Sequence, residues 1–137
     1  MYLLDTNILL ELLLDQERAD EAERLIRSVP GRDLYISEFT LYSLGMILTY
    51  RRLAHIFLRI VEDLERGRID CLRLNIMDMP AVVQAIQQFG LDFDDAYQYV
   101  VAEKYGLTLV SFDADFDRTP RGRRTPGQVL ESVKWQK

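Results

Sequence analysis

Apolar positions follow two alternating patterns along the chain, and these patterns predict short strands separated by helices. Short, mostly apolar runs at residues 1–4, 34–36 and 107–112, and an alternating run at 69–74, are typical of strands in a sheet. Between these runs, apolar residues recur every three or four positions, which is the spacing of amphipathic helices. Strands that alternate with helices in this way predict an α/β sandwich with a mostly parallel sheet.

Residues that start and stop helices mark the ends of the helical stretches. Thr6 or Asn7 is expected to cap the first helix, and Ser37 the third. Pro30 and Gly90 follow two other stretches and end those helices. The predicted helices cover residues 8–14, 17–29, 38–52, 55–65, 78–89, 92–104 and 126–133.

The composition is that of an ordinary globular domain, since 48% of the 137 residues are hydrophobic and 28% are charged. No internal repeat or low-complexity linker divides the sequence, so we expect a single domain over residues 1–137. The single cysteine, Cys71, and the single histidine, His55, exclude an internal disulfide and the usual zinc and iron–sulfur sites. We recognise no secretory leader, and no apolar run approaches about 20 residues, the length of a membrane span. A cytoplasmic location away from the membrane is therefore expected.

The net charge of −5 disfavours a protein that coats nucleic acid through an overall basic surface. It does not exclude a nuclease, because an enzyme that binds divalent cations needs an acidic cluster and can keep its arginines in one local patch. Such a patch is formed by Arg118, Arg121, Arg123 and Arg124. Pro120 and Gly122 keep this segment from becoming a helix, and we expect its arginines to bind the phosphate backbone of an RNA strand. The alternative is that they neutralise nearby acids, namely Asp113, Asp115 and Asp117.

Acidic residues follow three of the predicted strands: Asp5 follows the first, Glu38 the second and Asp113 the last. Further acids stand in the first turn of the helix before the last strand, namely Asp92, Asp94 and Asp95. Each acid alone has a simple explanation, since carboxylates near helix N-termini cap free amides and complement the helix dipole. Together they converge on the carboxyl edge of a parallel sheet, where ligands bind, and they repel one another unless cations neutralise them. Oxygen ligands of this kind suit Mg²⁺ or Mn²⁺.

These acids belong to three segments whose order and spacing are distinctive. Residues 1–7 read MYLLDTN, residues 91–96 read LDFDDA and residues 109–116 read LVSFDADF. Along nearly the whole chain the set resembles the PIN domain family, which includes the VapC-like ribonucleases. The resemblance implies a three-layer α/β/α sandwich with about five strands in its sheet, and a metal-dependent ribonuclease site. It implies catalytic, metal-binding roles for Asp5, Asp95 and Asp113, a further metal ligand in Asp115, and supporting roles for Thr6, Asn7, Ser43, Asp92, Asp94 and Ser111.

One position departs from the family pattern. In many toxin-like members a second acid lies on the helix after the second strand, at the place where this sequence has Ser43. Glu38 lies five residues earlier, and on a regular helix that spacing rotates its side chain by about 140°. Either Glu38 reaches the catalytic site from the strand–helix junction, or Ser43 holds a water there and the site has one carboxylate fewer.

The resemblance implies an endoribonuclease that uses Mg²⁺ or Mn²⁺ and acts on single-stranded or structured RNA. Its expected partners are the RNA substrate, a possible antitoxin protein and a second copy of the chain in a homodimer. Water is the expected nucleophile, because the sequence has no second histidine and no serine–histidine pair in a supporting context.

Two alternatives belong to other classes of protein. A PIN-like domain with weakened catalysis could serve as an RNA-binding or interaction module, and Ser43 favours this interpretation. A phosphatase-like or receiver-like α/β domain also uses acids at strand ends. That class usually needs a lysine near the last strand, whereas Lys104 precedes this strand and lies within a predicted helix.

Overall fold

A sheet of four parallel strands forms the centre of the fold. The computed structural model describes residues 1–135, with strands β1 (Tyr2–Leu4), β2 (Leu34–Ser37), β3 (Asp70–Leu72) and β4 (Thr108–Val110). The strands are hydrogen-bonded in the order β3-β2-β1-β4, and each neighbouring pair is parallel. The predicted parallel α/β architecture is confirmed.

The number of strands differs from the expectation, since the described part of the chain has four where about five were expected. The course of the chain after β4 explains the difference. Residues Ala114–Arg118 turn away from the sheet as a short 3₁₀ helix. When the chain returns, Arg124 forms only an isolated parallel bridge with Val110 and no further strand.

The described residues form seven helices, of which six lie between strands and one follows β4. They are α1 (Thr6–Leu13), α2 (Ala19–Ser28), α3 (Glu38–Tyr50), α4 (Ala54–Glu65), α5 (Met79–Phe89), α6 (Phe93–Tyr105) and α7 (Pro126–Trp135). All seven predicted helices are therefore present, with ends that shift by a few residues. None of the helices in the described range is long and apolar enough to cross a membrane.

The helices cover both faces of the sheet, which confirms the three layers. Neighbouring residues of a strand point to opposite faces. Leu3 accordingly packs in one core with α5 and α6, whereas Leu4 packs in a second core with α1, α2, α3, α4 and α7. Leu109 and Val110 of β4 divide between the same two cores. Strands β2, β1 and β4 are thus largely buried on both faces, whereas the edge strand β3 is mostly exposed. The ends of the strands remain as places for ligands.

The connections bring the end of β1 next to the end of β4. From β1 the chain runs outward to β2 and β3, then returns through α5 and α6 to form β4 on the other side of β1. Gly106, with a φ of 67°, ends α6 and turns the chain into β4. The strand order reverses between β1 and β4, and open parallel sheets bind ligands beyond the carboxyl ends of strands at such a point. Asp5 directly follows β1, and Asp113 follows β4 closely.

Candidate active site

Asp5 is buried at the carboxyl end of β1, with a relative exposure of 6%. It is the N-cap of α1, so the prediction that Thr6 or Asn7 caps this helix was wrong. Oδ1 of Asp5 accepts hydrogen bonds from the backbone N–H of Thr6 at 2.8 Å and from Nε2 of Gln98 at 3.1 Å. Oδ2 accepts one from Oγ of Ser111 at 2.7 Å and a longer one from Nδ2 of Asn7 at 3.4 Å. The cap and the supporting donors hold this carboxylate in one orientation.

Opposing effects act on the pKa of Asp5. Burial raises the pKa most strongly, and the nearby carboxylate of Asp113 raises it further. Hydrogen bonds from Ser111, Gln98 and Thr6 act in the other direction, because they stabilise the ionised form. The net result is a raised pKa.

Three other carboxylates meet beside Asp5. Asp95 is a buried residue in the first turn of α6, while Asp113 and Asp115 are half-buried and exposed residues after β4. One carboxylate oxygen from each lies within 4.8 Å of the other two. Hydrogen bonds to the backbone hold this group in place. The side chain of Asp92 accepts from the N–H of Asp95, and the side chain of Asp113 accepts from the N–H of Asp115. An all-oxygen donor set of this kind fits a hard divalent cation.

The pKa of Asp95 is strongly raised. Burial, followed by the charges of Asp92, Asp113 and Asp5, raises the pKa of Asp95 to about 8. The Asp113 carboxylate, with an oxygen within 4.8 Å of one of Asp95, also favours the protonated form. Without a cation, the cluster therefore holds a proton at neutral pH. Burial, with the charge of Asp92, also raises the pKa of Asp94.

A cavity of about 240 Å³ opens over these residues. Its acidic wall contains Asp5, Asp94, Asp95 and Asp113. The wall formed by α1 and α3 is largely apolar and contains Leu10, Phe39, Ser43 and Ile47. Thr6, Asn7 and Gln98 complete the lining. The arrangement can bind a ligand that has both a charged and an apolar part.

The structure separates Glu38 from Ser43. Ser43 faces the cavity from α3, whereas Glu38 is the first residue of this helix and is not among the described residues that line the cavity. Oε1 of Glu38 instead accepts a hydrogen bond of 2.6 Å from the hydroxyl of Tyr42. In this arrangement α3 brings a hydroxyl, and not a carboxylate, to the cavity.

Asn7 and Ser111 connect the end of β1 to the loop after β4. Nδ2 of Asn7 donates to Oγ of Ser111 at 3.1 Å, and Oδ1 of Asn7 accepts from the backbone N–H of Phe112 at 3.2 Å. Oγ of Ser111 also accepts from the backbone N–H of Asp113 at 2.9 Å. The two predicted supporting residues therefore lie between Asp5 and Asp113 and fix the distance between them.

Gln98 and Thr40 belong to the site and were missed by sequence reasoning. Gln98 lies on α6 with 1% exposure, and its Nε2 donates to Asp5 and, at 2.7 Å, to Oγ1 of Thr40. Oγ1 of Thr40 is also 2.9 Å from Oγ1 of Thr6. The signal in the sequence is that Gln98 interrupts an otherwise apolar and aromatic stretch at residues 96–102, and in the structure Asp95–Ala102 are all buried. A polar side chain in such a position needs hydrogen-bond partners, which here belong to the site.

The arginine segment follows the outer edge of β4. Nη2 of Arg121 donates to the carbonyl of Leu107 at 3.0 Å, and Nη1 of Arg123 donates to that of Ser111 at 3.1 Å. The backbone N–H of Arg124 donates to the carbonyl of Leu109 at 2.8 Å. The segment thus satisfies carbonyl groups at a sheet edge that would otherwise lack partners.

Two arginines of this segment form ion pairs with acidic residues of the chain. Arg123 pairs with Asp117 at 3.2 Å, and Arg118 lies 3.8 Å from Asp115. Both pairs agree with the interpretation that these arginines neutralise neighbouring acids. The side chain of Arg124 is exposed, as is that of Arg121.

Comparisons with known proteins agree with this geometry. A sequence model of the PIN domain matches residues 2–122. No curated protein gave a match. Among solved structures, a toxin-antitoxin complex from Klebsiella pneumoniae has a chain with 24% identity and a TM-score of 0.74, over 92% of this chain and 98% of that one.

Two further structures have the same fold. FitAcB from Neisseria gonorrhoeae is 23% identical with a TM-score of 0.72, over 93% of this chain and 99% of that chain. VapC20 from Mycobacterium tuberculosis, described as a sarcin-ricin loop cleaving toxin, is 19% identical with a TM-score of 0.74, over 85% and 93% of the two chains. Likeness at these identities concerns the fold.

Proposed function

The chain belongs to the PIN domain family, and from this premise we propose that it is a divalent-metal-dependent endoribonuclease that hydrolyses phosphodiester bonds in RNA. One observation carries the proposal. Asp95, Asp113 and Asp115 bring carboxylate oxygens within 4.8 Å of one another, beside the buried Asp5 and at the point where the strand order reverses. Ionised carboxylates this close repel one another, and a bound cation removes that repulsion.

Mg²⁺ or Mn²⁺ fits the donor set. Asp95, Asp113 and Asp115 supply oxygens only, and Oδ2 of Asp5 lies on the Asp113 side, since Oγ of Ser111 contacts both Oδ2 and the backbone N–H of Asp113. An ion held there supplies Lewis acidity toward water and toward phosphate oxygens.

The chain's own residues prepare the reaction. The raised pKa of Asp95 favours a proton on this group near neutral pH in the metal-free protein, and Asp95 would hold a cation together with Asp113 and Asp115. Asp5 and Asp113 are held in position by Ser111, so the ligand oxygens are arranged before binding. Phe39 and Ile47 form part of the apolar wall of the cavity beside the carboxylates. His55 is exposed on α4, which leaves water as the nucleophile.

We further propose that the protein is the toxin of a toxin–antitoxin pair. The support is the likeness in fold to the Klebsiella pneumoniae toxin-antitoxin complex and to the VapC20 toxin. Expression of the chain alone should then arrest growth, whereas Asp95→Asn should relieve the arrest. Growth unaffected by an active nuclease would favour a nuclease that acts without an antitoxin.

A second candidate is an RNA-binding or interaction module with weakened catalysis. The observation that favours it is that α3 brings Ser43, and not a carboxylate, to the cavity. This candidate predicts RNA binding without cleavage.

A cleavage assay with purified protein tests the proposed function. Labelled single-stranded RNA is incubated with Mn²⁺, with Mg²⁺ and with a chelator. We expect internal cleavage with either ion and none in chelator. Binding without cleavage under all three conditions supports the weakened module, and cleavage in excess chelator contradicts the metal-dependent mechanism.

A further inference from the structure

The side-chain amide of Gln98 is buried, and its nitrogen and oxygen differ in their hydrogen bonds. Its Nε2 donates two hydrogen bonds, to Oδ1 of Asp5 at 3.1 Å and to Oγ1 of Thr40 at 2.7 Å. Its Oε1 is buried without a hydrogen-bond partner among residues 1–135. A buried polar atom without a hydrogen-bond partner is destabilising, so a structure that keeps one needs a reason for it.

The contact with Asp5 gives the orientation of the amide. If the amide were reversed, Oε1 would face the carboxylate oxygen of Asp5, and two acceptors would repel each other. The buried Nε2 would then lose Asp5 as its acceptor. Gln98 therefore keeps its N–H groups toward Asp5 and Thr40 and leaves Oε1 unpaired.

The two oxygens of Asp5 are not equivalent as a result. Oδ1 is occupied by two donors from Thr6 and Gln98, at 2.8 and 3.1 Å. Oδ2 has one short hydrogen bond, from Ser111, and the long contact with Asn7 at 3.4 Å. Gln98 thus anchors Oδ1, while Oδ2 lies on the side of Asp113, because Oγ of Ser111 donates to Oδ2 and accepts from the backbone N–H of Asp113.

We propose that Gln98 is a positioning residue, which sets the orientation of the Asp5 carboxylate so that Oδ2 faces the cation site. Gln98 acts through Asp5 and does not touch the RNA. This assignment rests on the cation site of the proposed function and is independent of the substrate.

Thr40 completes the positioning element on the far side of Gln98. Oγ1 of Thr40 lies 2.9 Å from Oγ1 of Thr6 and 3.4 Å from Oγ of Ser37, which caps α3. The amide of Gln98 is therefore fixed between the start of α1 and the start of α3. All of these groups are buried or partly buried, so water competes little for the hydrogen bonds.

The test is the affinity for Mn²⁺ alone, measured by calorimetry on the full chain without RNA. Gln98→Met keeps the length of the side chain and removes both the donors and the unpaired oxygen. We expect its Mn²⁺ dissociation constant to rise about 10–100-fold, as for other residues that orient metal ligands. In the cleavage assay, kcat should fall while KM for RNA stays near that of the parent.

Two control variants separate positioning from general stability. Val129→Ala truncates a fully buried residue of α7 on the other face of the sheet, so it should lower the melting temperature and leave Mn²⁺ affinity unchanged. Gln87→Met makes the same chemical change at an exposed position of α5 and should change neither quantity. Thr40→Val removes one of the two acceptors of Nε2 and should weaken Mn²⁺ binding less than Gln98→Met does.

The outcomes are distinct. A Gln98→Met variant that folds and binds Mn²⁺ as tightly as the parent overturns the proposal. If that variant does not fold, unchanged Mn²⁺ affinity in Thr40→Val overturns it. Weakened Mn²⁺ binding in Gln98→Met, in a parent that binds Mn²⁺ but cleaves no RNA, supports the role of Gln98 while the proposed function fails.

Discussion

Asp95 and Asp113 come from different parts of the chain, yet each brings a carboxylate oxygen within 4.8 Å of the other, next to the buried Asp5. Ionised carboxylates this close repel each other, and a proton or a cation removes the repulsion. Burial and the surrounding charges raise the pKa of Asp95 to about 8, which favours its protonated form when no cation is bound. A proton and a divalent cation therefore compete for the same site.

Cation binding should release a proton near neutral pH. Below about 8 Asp95 is protonated in the metal-free protein, and it must ionise to bind Mn²⁺. Affinity should accordingly rise with pH until about 8 and then level off. Calorimetry at pH 7 in two buffers of different ionisation enthalpy measures the proton directly. Equal heats in the two buffers would contradict this prediction.

Asp5→Asn and Asp113→Asn should each lower RNA cleavage by about 10²-fold or more. Each change removes a charge from the cluster and preserves the shape of the side chain. Asp20→Asn, at an exposed position of α2, is the matched control and should cleave at the wild-type rate. Activity in Asp113→Asn equal to that of the control would remove this residue from the site.

Glu38→Gln should keep nearly full activity, because the carboxylate of Glu38 bonds to Tyr42 and does not line the cavity. Ser43→Ala should lower activity, since Ser43 offers the hydroxyl that α3 brings to the cavity. Cleavage rates of both variants at saturating Mn²⁺ make the comparison. The reverse ranking would show that Glu38 reaches the metal during the reaction.

Two neighbouring arginines should behave differently when changed to alanine. Arg123→Ala should lower the free energy of unfolding by about 1–3 kcal/mol, because it leaves the carbonyl of Ser111 without this donor and removes the pair with Asp117. Arg124→Ala should leave stability unchanged and weaken RNA binding. The logarithm of its RNA-binding constant should fall less steeply with the logarithm of the salt concentration. For one lost phosphate contact, the slope should change by about 0.7. Urea unfolding and binding at several salt concentrations distinguish the two effects, and an unchanged slope would exclude a phosphate contact by Arg124.

Much of the fold and part of the site follow from local patterns. Buried strands and amphipathic helices have separate periodicities, so their alternation predicts the parallel sheet. Because parallel strands end at one edge, the positions of Asp5 and Asp113 after their strands are enough to predict that they meet. The strand count was less accurate, since nothing local to Arg124 indicates that it forms only one bridge with β4.

Other features depend on contacts between distant residues. Gln98 is 93 positions from Asp5 along the chain, and the helical pattern of α6 does not indicate which acid it faces. The arginine cluster shows a local excess of positive charge, but the use of Arg121 and Arg123 on carbonyls of β4 requires the tertiary structure. For the same reason, the sequence left Glu38 and Ser43 as alternatives, whereas the start of α3 at Glu38 separates them.

The most direct test of the acidic cation site is the thermal stability of Asp95→Asn against the wild type at pH 6 and pH 9, in chelator and in Mn²⁺. The folded-state pKa of Asp95, about 8, is above the usual aspartate pKa of 3.8, so the metal-free wild type loses stability as pH rises from 3.8 to about 8. In chelator, Asp95→Asn should therefore gain in melting temperature relative to wild type from pH 6 to pH 9, and Mn²⁺ should stabilise the wild type more than the variant. If Asp95 serves only the helix N-terminus, Asp95→Asn will melt lower in chelator at both pH values and both proteins will respond equally to Mn²⁺, which contradicts a cation site built on this residue.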